Sequence, residues 1–443
     1  LNGQLTLNQA VVAHGSGNIR LESGTTEADD KDVAVKAAVI SGSGGITILA
    51  NRDITQNVVG DISTAGGTVD LTSLNGSVTM ANGAVTVANG SVTMAGSGAI
   101  RILSANSIIL GGLDAADVSL IATSGTVTDG GDAHLDLVAD RARIVTSSGI
   151  GEGDNALETS VKTLASNAGT GGQFFLEQDD IAVDTVSAIS VNRIGADGAV
   201  DSVVTDAALS DLISDGAVVL RTVNGSITVN EGIAPAGGVI TLSGNILLEA
   251  GTTGANDKQI LVNARITSSS GSISLVANAD ILQGPNGDLS VFNAGTIDVE
   301  SQTANIEMSD NEMSDGATAR TAGGNIRYQA GGSVLLGGLN AGSGVVVIEA
   351  LGSVTDNGET DKEIIASAAR IIAGDAIGSM ANELDTNVQL IAGQSGNGGI
   401  HLFNDGDLIV GVVPGALVQR VVNDGSILNH TDPVDDSLAG LVT

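Results

Sequence analysis

The chain has 443 residues, a formal net charge of −34 and a pI near 4.1, with 62 Gly, 4 Pro, 4 Phe, 1 Tyr and neither Cys nor Trp. That charge argues against nucleic acid or an anionic membrane as partner, since phosphate contacts need clustered Lys and Arg. No apolar run approaches the roughly 18 residues of a spanning helix, and without Cys there is neither a disulfide framework nor thiol chemistry.

Aromatics make up 1% of the chain and hydrophobic residues 42%. The core must therefore be filled by Val, Ile, Leu and Ala, which suits a narrow stack of small side chains better than a thick globule. Aliphatic content this high excludes a disordered chain.

Taken from Gly45, the sequence runs GITIL, RDITQ, GDIST, GTVDL, GSVTM, GAVTV, GSVTM, GAIRI and NSIIL. The first aliphatics are Ile46, Ile54, Ile62, Val69, Val78, Val85, Val92, Ile100 and Ile108, at steps of 7 to 9. Apolar and polar residues alternate inside each piece, as a strand with one buried face requires. Asn75-Gly76-Ser77, Asn89-Gly90-Ser91 and Asn224-Gly225-Ser226 fall at corners, where Gly and Asn tolerate positive φ. A step this short leaves no room for the longer strands and hairpins of antiparallel sandwiches. Three steps make a coil of roughly 20-odd residues, and the expected fold is all-β: a parallel right-handed β-helix, or β-solenoid. At about 4.8 Å per coil, a unit of about ten coils would be a rod on the order of 50 Å long.

Four stretches break this rhythm and read as loops leaving the coil: Glu27 to Asp32, Asp129 to Asp136, Gly151 to Asn155 and Ala196 to Ser214. Ala207 to Ile213 is expected to form a short helical turn. The stretch from Ala196 has an acidic copy near Asn423 to Leu438.

The chain says almost everything twice. GNIRLESGTT from Gly17 returns as GNILLEAGTT from Gly244, and NRDI from Asn51 returns as NADI from Asn278. IRILSANSIILGGL from Ile100 returns as IRYQAGGSVLLGGL from Ile326. Ile150, Gly151, Asn155, Leu157 and Thr159 return as Ile377, Gly378, Asn382, Leu384 and Thr386. This is the mark of a tandem array. Two solenoid units are expected, 1–222 and 223–443, with the natural boundary between Asp215 and Asn224 and a ladder running through it. Leu1 falls inside the repeat, so the chain reads as part of a longer array.

Strands of the type GNIRL and GGITILANRDI resemble those of filamentous-haemagglutinin-like adhesins and giant repetitive surface proteins of Gram-negative bacteria. VTDGG from Val127, RIVTSSGIGEGDNALETSVKTLAS from Arg143 and DGAVVLRTVNGSITV from Asp215 are similar to blocks recurring in such proteins. The resemblance spans the chain and carries no catalytic motif. It implies export across the outer membrane, an extended rod and an extracellular or cell-surface location.

Chemistry-bearing residues are sparse. The four His (His14, His134, His401, His430) have no His at the matching position of the other half, where Asp361 matches His134 and Phe174 matches His401. No HExxH, P-loop, GxSxG elbow or strand-to-helix GxGxxG occurs. A calcium-bound β-roll would need its nonapeptide in tandem, and this is absent. The best candidate ligands are acids that survive as acids in both copies: Asp129 and Asp132 in VTDGGD, Asp356 and Glu359 in VTDNGE. Loop oxygens of this kind suit a hard cation such as Ca²⁺.

The expected function is structural, a fibre, stalk or adhesin shaft, with no enzymatic activity. Its partners would be further repeats of the same polypeptide and neighbouring fibres. The alternatives are a polyvalent module binding cations, glycans or cell surfaces and, behind it, a polysaccharide-active β-helix enzyme.

Overall fold

The computed structural model describes residues 3–24, 31–82, 91–131, 133–233, 237–254, 257–309, 316–356, 358, 361–430 and 437–443. The chain divides into two compact units, Leu1–Ser214 and Asp215–Thr443. Among the described residues there is no helix, and the strands of each unit pair overwhelmingly in parallel.

In the first unit three parallel ladders alternate along the chain. One takes Ile19, Ile46, Val69, Ile100 and Val118 as successive register partners. The next takes Val33, Ile54, Val78, Ile108, Val127 and Ile150, and the third Val11, Val39 and Ile62, then Thr93, Leu113 and Leu137. Short strands such as Ile54–Gln56 turn their two end residues inward and the middle one out, following the two-residue period of a strand. Ile46, Ile54, Ile62, Val69 and Val78 have no exposed surface, and full burial of such a side chain contributes about 1.5–3 kcal/mol.

The second unit has the same plan. Ile246, Ile273, Ile297, Ile326 and Val346 form one ladder, and Ile260, Ile281, Ile306, Val334, Val354 and Ile377 another. Ile46 and Ile273 thus have corresponding partners within their own units.

Glycine has a packing role at one corner. A Cβ on Gly271 would collide with the carbonyl oxygen of Gly244, one on Gly295 with that of Gly271, one on Gly324 with that of Gly295, and one on Gly344 with that of Gly324. The first unit repeats this through Gly17, Gly44, Gly67 and Gly98. Layers in contact at ladder spacing leave no room for a side chain there. Gly76, expected to need positive φ, does not take it; its Cβ would meet the carbonyl of Arg52 and the carboxylate of Asp53. Close approach, not backbone handedness, selects glycine at this corner.

Three further expectations are corrected. At Val92 the inward register is displaced by one: Val92 is half-buried, whereas Thr93 is buried opposite Ile62 and donates to Gln56 Oε1 at 3.1 Å. Asp129 ends the strand Val127–Asp129 rather than lying in a loop. Ala207 to Ile213 is not helical: Leu209 bridges to Val186, Asp211 has φ 72°, and Leu212–Ser214 is a strand paired with Ser166–Ala168.

The Ala196 stretch belongs to an antiparallel hairpin, Ile189–Ile194 with Val200–Asp206, turning at Gly198. It lies on the outer face of the first ladder, which explains why Ile46–Ala50 and Val69–Ser73 are buried on both faces. Backbone amides of Asn192 and Ile194 donate to Thr68 and Thr47 hydroxyls at 2.9 and 3.0 Å. Arg193 reaches Asp70 at 2.8 Å, Arg101 bridges Asp70 and Asp206, and Ser119 donates to Asp206 at 2.6 Å. Asp70 is wholly buried, and both guanidinium groups pair with it.

The second unit carries the corresponding hairpin, Val418–Val421 with Ile427–His430, turning at Gly425. Gln419 and Val421 amides donate to Thr296 and Ser274 at 2.7 and 2.8 Å. Arg420 and Arg327 hold the buried Asp298 at 2.7 and 2.8 Å, and Arg420 also holds Glu300 at 2.5 Å.

Candidate metal centre

Three carboxylates converge in each unit: Asp129, Asp136 and Glu158 in the first, Asp356, Glu363 and Asp385 in the second, with one oxygen from each acid of a group within 4.8 Å of one from each of the others. The ladders place them. Asp129 stands in register with Leu110, and Asp356 with Leu336, so each acid takes an inward position that an aliphatic fills one layer away. Asp136 directly precedes the strand Leu137–Thr146, and Glu158 lies in Leu157–Ala168 of the next layer. Their backbones pair, the Asp136 amide donating to the Glu158 carbonyl at 2.9 Å and the Glu363 amide to the Asp385 carbonyl at 3.0 Å.

One oxygen of the deepest acid in each triad is already used. Asp136 Oδ2 accepts the Glu158 amide at 3.1 Å, and Glu363 Oε2 accepts the Asp385 amide at 2.7 Å. The other oxygen, Asp136 Oδ1 or Glu363 Oε1, is buried without a hydrogen-bond donor. Asp129 accepts from the Asn155 side chain through Oδ1 and leaves Oδ2 without a donor; neither Asp356 carboxylate oxygen has one. Asn382, which matches Asn155, donates to the Asp356 carbonyl at 3.3 Å. Asp136 and Glu363 are 0% and 1% exposed, while Glu158 and Asp385 are half-buried and mark the side open to solvent.

Crowding of like charge in a dry site raises carboxyl pKa values. Burial, then repulsion from Asp129 and Glu158, pushes Asp136 up to about 9. Burial and the Asp356 charge push Glu363 up to about 9. Asp356 is raised by burial and by Asp385, and Asp385 by burial and Glu383, with Lys362 opposing.

A separate buried carboxylate adjoins the first triad. Glu177, wholly buried, accepts from the Thr159 hydroxyl at 2.7 Å and the Val161 and Asp179 amides at 3.0 and 3.2 Å. Burial, outweighing these hydrogen bonds, raises it to about 7. In the second unit Asn404 accepts the equivalent donors, Thr386 and the Val388 amide, both at 2.9 Å, without a charge.

Of the residues singled out from sequence, Asp129 and Asp356 lie in the triads, and Asp132 and Glu359 lie outside the described residues. Asp136, Glu158, Glu363 and Asp385 were missed, although Asp136 matches Glu363 and Glu158 matches Asp385 across the repeat. No His belongs to either triad. No helix among the described residues is long and apolar enough to cross a membrane. Comparison with known proteins found no matching family model, no matching curated protein and no matching solved structure.

Proposed function

We propose that this chain is a structural segment of an extracellular bacterial fibre, stalk or adhesin shaft. In this reading the parallel ladders are coils of a right-handed β-solenoid, 20-odd residues each, arranged as two tandem units of a longer array. The observation that carries it is duplication of every device: aliphatic ladder, glycine corner, hairpin and carboxylate triad recur in corresponding places in both units. A catalytic site is usually built once, whereas a shaft is built by repetition, its stability adding layer by layer. Stacking of further repeats, within the polypeptide or from neighbouring fibres, would cover exposed strand edges.

Rotary-shadowed images of the purified chain test this. The expected particle is a stiff rod on the order of 50 Å per unit, from about 4.8 Å per coil. A compact globule, or two beads on a flexible tether, would overturn it.

A polyvalent binding module is the second reading, favoured by the paired triads. A polysaccharide-active enzyme is less well supported. The carboxyls are close enough for paired acid–base chemistry, but the deepest of each triad is covered by the ladder and out of reach of a polymer chain. Release of oligosaccharide from any acidic or neutral polysaccharide would revive that reading.

A further inference from the structure

We propose that the Asp129–Asp136–Glu158 and Asp356–Glu363–Asp385 triads are two equivalent binding sites for a hard divalent cation, one in each unit, with calcium the ion they fit best. The inference does not depend on the shaft reading: a chain that failed the microscopy test could still bind two ions.

Three observations carry it. The first is the set of buried carboxylate oxygens without donors: Asp129 Oδ2 and Asp136 Oδ1 in one unit, Glu363 Oε1 and both Asp356 oxygens in the other, all in residues at least nine-tenths buried. A buried acceptor left without a partner is costly, and these oxygens belong to acids that each bring one carboxylate oxygen within 4.8 Å of the others. Aliphatic packing is the usual content of this position, as Leu110 and Leu336 show one layer away. An acid there, with two more beside it, fits that packing only if the charge is neutralised, by a cation or by protons.

The second is size. Calcium–oxygen distances are about 2.3–2.6 Å, so two oxygens on opposite sides of one ion lie roughly 4.6–5.2 Å apart. One oxygen from each acid lies within 4.8 Å of one from each of the other two, near enough for all three to touch one such ion. Magnesium, with strict octahedral geometry at about 2.0–2.1 Å, dehydrates reluctantly and seldom sits in a cage made of protein carboxylates. Each triad supplies only oxygen donors, which disfavours softer metals that prefer sulfur or imidazole. The half-buried Glu158 and Asp385 leave an edge through which an ion enters and water completes its shell.

The third is the pattern of exchange between units. Where the first unit has Asp136 and Glu158, the second has Glu363 and Asp385. The longer and shorter acids swap places across the adjacent layers, and the carboxylate count is kept. Asn155 and Asn382 both stay beside the first acid of their triad, donating to its carboxylate or its carbonyl. Elsewhere the units readily exchange acid for neutral residues, as at Glu177 and Asn404.

The test is calorimetric titration of the chelator-stripped full chain with CaCl₂, and separately with MgCl₂. The wild type should bind two calcium ions, more tightly than magnesium. Asp136→Asn and Glu363→Gln should each bind one, and the double variant none. In each single variant the intact site in the other unit is the internal control, and circular dichroism reports whether the strands persist. If a deep-site variant does not fold, Glu158→Gln and Asp385→Asn take its place, since both residues are half-buried. Absence of calcium binding by the wild type would overturn the proposal, as would a stoichiometry unchanged in the variants. So would a chelator-stripped wild type whose melting temperature does not rise on adding calcium; the triads would then be closed by shared protons alone.

Discussion

Glu177→Gln should remove a pH-dependent weakness from the first unit. Glu177 is wholly buried and receives only donors, so its charge is compensated by hydrogen bonds and not by a cation. Its folded-state value of about 7 lies above the ordinary 4.5, a gap worth about 3 kcal/mol at roughly 1.4 kcal/mol per pH unit. The folded chain binds this proton more tightly than the unfolded chain. The stabilisation is therefore complete below about pH 4.5, falls as pH rises, and is gone above about pH 7. Glutamine keeps the acceptor and has no proton to lose; its fixed repacking cost is the same at every pH. Opening free energies from hydrogen exchange across residues 157–180, corrected for intrinsic rates, should thus shift in favour of the variant by about 3 kcal/mol between pH 4.5 and 8. The second unit offers the comparison, since Asn404 already fills this place without charge. A difference between variant and wild type that does not change with pH would refute the reasoning.

Arg420→Ala leaves the wholly buried Asp298 with Arg327 as its remaining guanidinium; the local cost should be about 3–5 kcal/mol, and proteolysis should begin to cut within 418–430. The same hairpin should loosen in acid. Burial alone would raise Asp298, but Arg420 and Arg327 hold it below the ordinary 3.8, so its contribution is present above that pH and is lost as pH falls through the lower folded value, visible as faster exchange in 418–430. Gly295→Ala drives a methyl group into the Gly271 carbonyl and should cost about 1–3 kcal/mol, read as increased exchange across 271–301. Tyr328→Phe strips Gln283 Oε1 of the hydroxyl that donates to it at 2.7 Å and should cost about 1–3 kcal/mol, read by exchange in the strands Ile281–Gln283 and Ile326–Ala330.

The ladders were legible because a strand's two-residue period writes itself directly into the sequence: Ile46, Ile54, Ile62, Val69 and Val78 all face inward as their spacing requires. The register broke at Val92 because Thr93 finds a hydrogen bond to Gln56 inside the stack, and alternation alone cannot see that partner. The second arm of the first hairpin looks like a loop in sequence because its residues do not alternate: Val200 and Val203 are exposed, while the polar side chain of Asp206 turns toward the ladder. Two of the three acids in each triad were hidden for a related reason. Asp129 and Asp356 stand in a conspicuous repeated VTD, but their partners arrive from the next layer, and acids scattered along an acidic chain carry no local mark. The signal that could have found them was the matching of Asp136 with Glu363 and Glu158 with Asp385 on either side of the repeat.

The hairpins also bear on how each unit responds to load. Parallel layers stacked along an axis can be peeled one at a time, each yielding a single row of backbone bonds. The first hairpin cannot be peeled that way, because it grips Asn18, Thr47, Thr68, Arg101 and Ser119, side chains from successive layers. The second grips Asn245, Ser274, Thr296 and Asn325 in like manner. Each acts as a splint laid across the grain. A pulling experiment should meet one high rupture per unit as its splint tears free, followed by a train of low, evenly spaced ones.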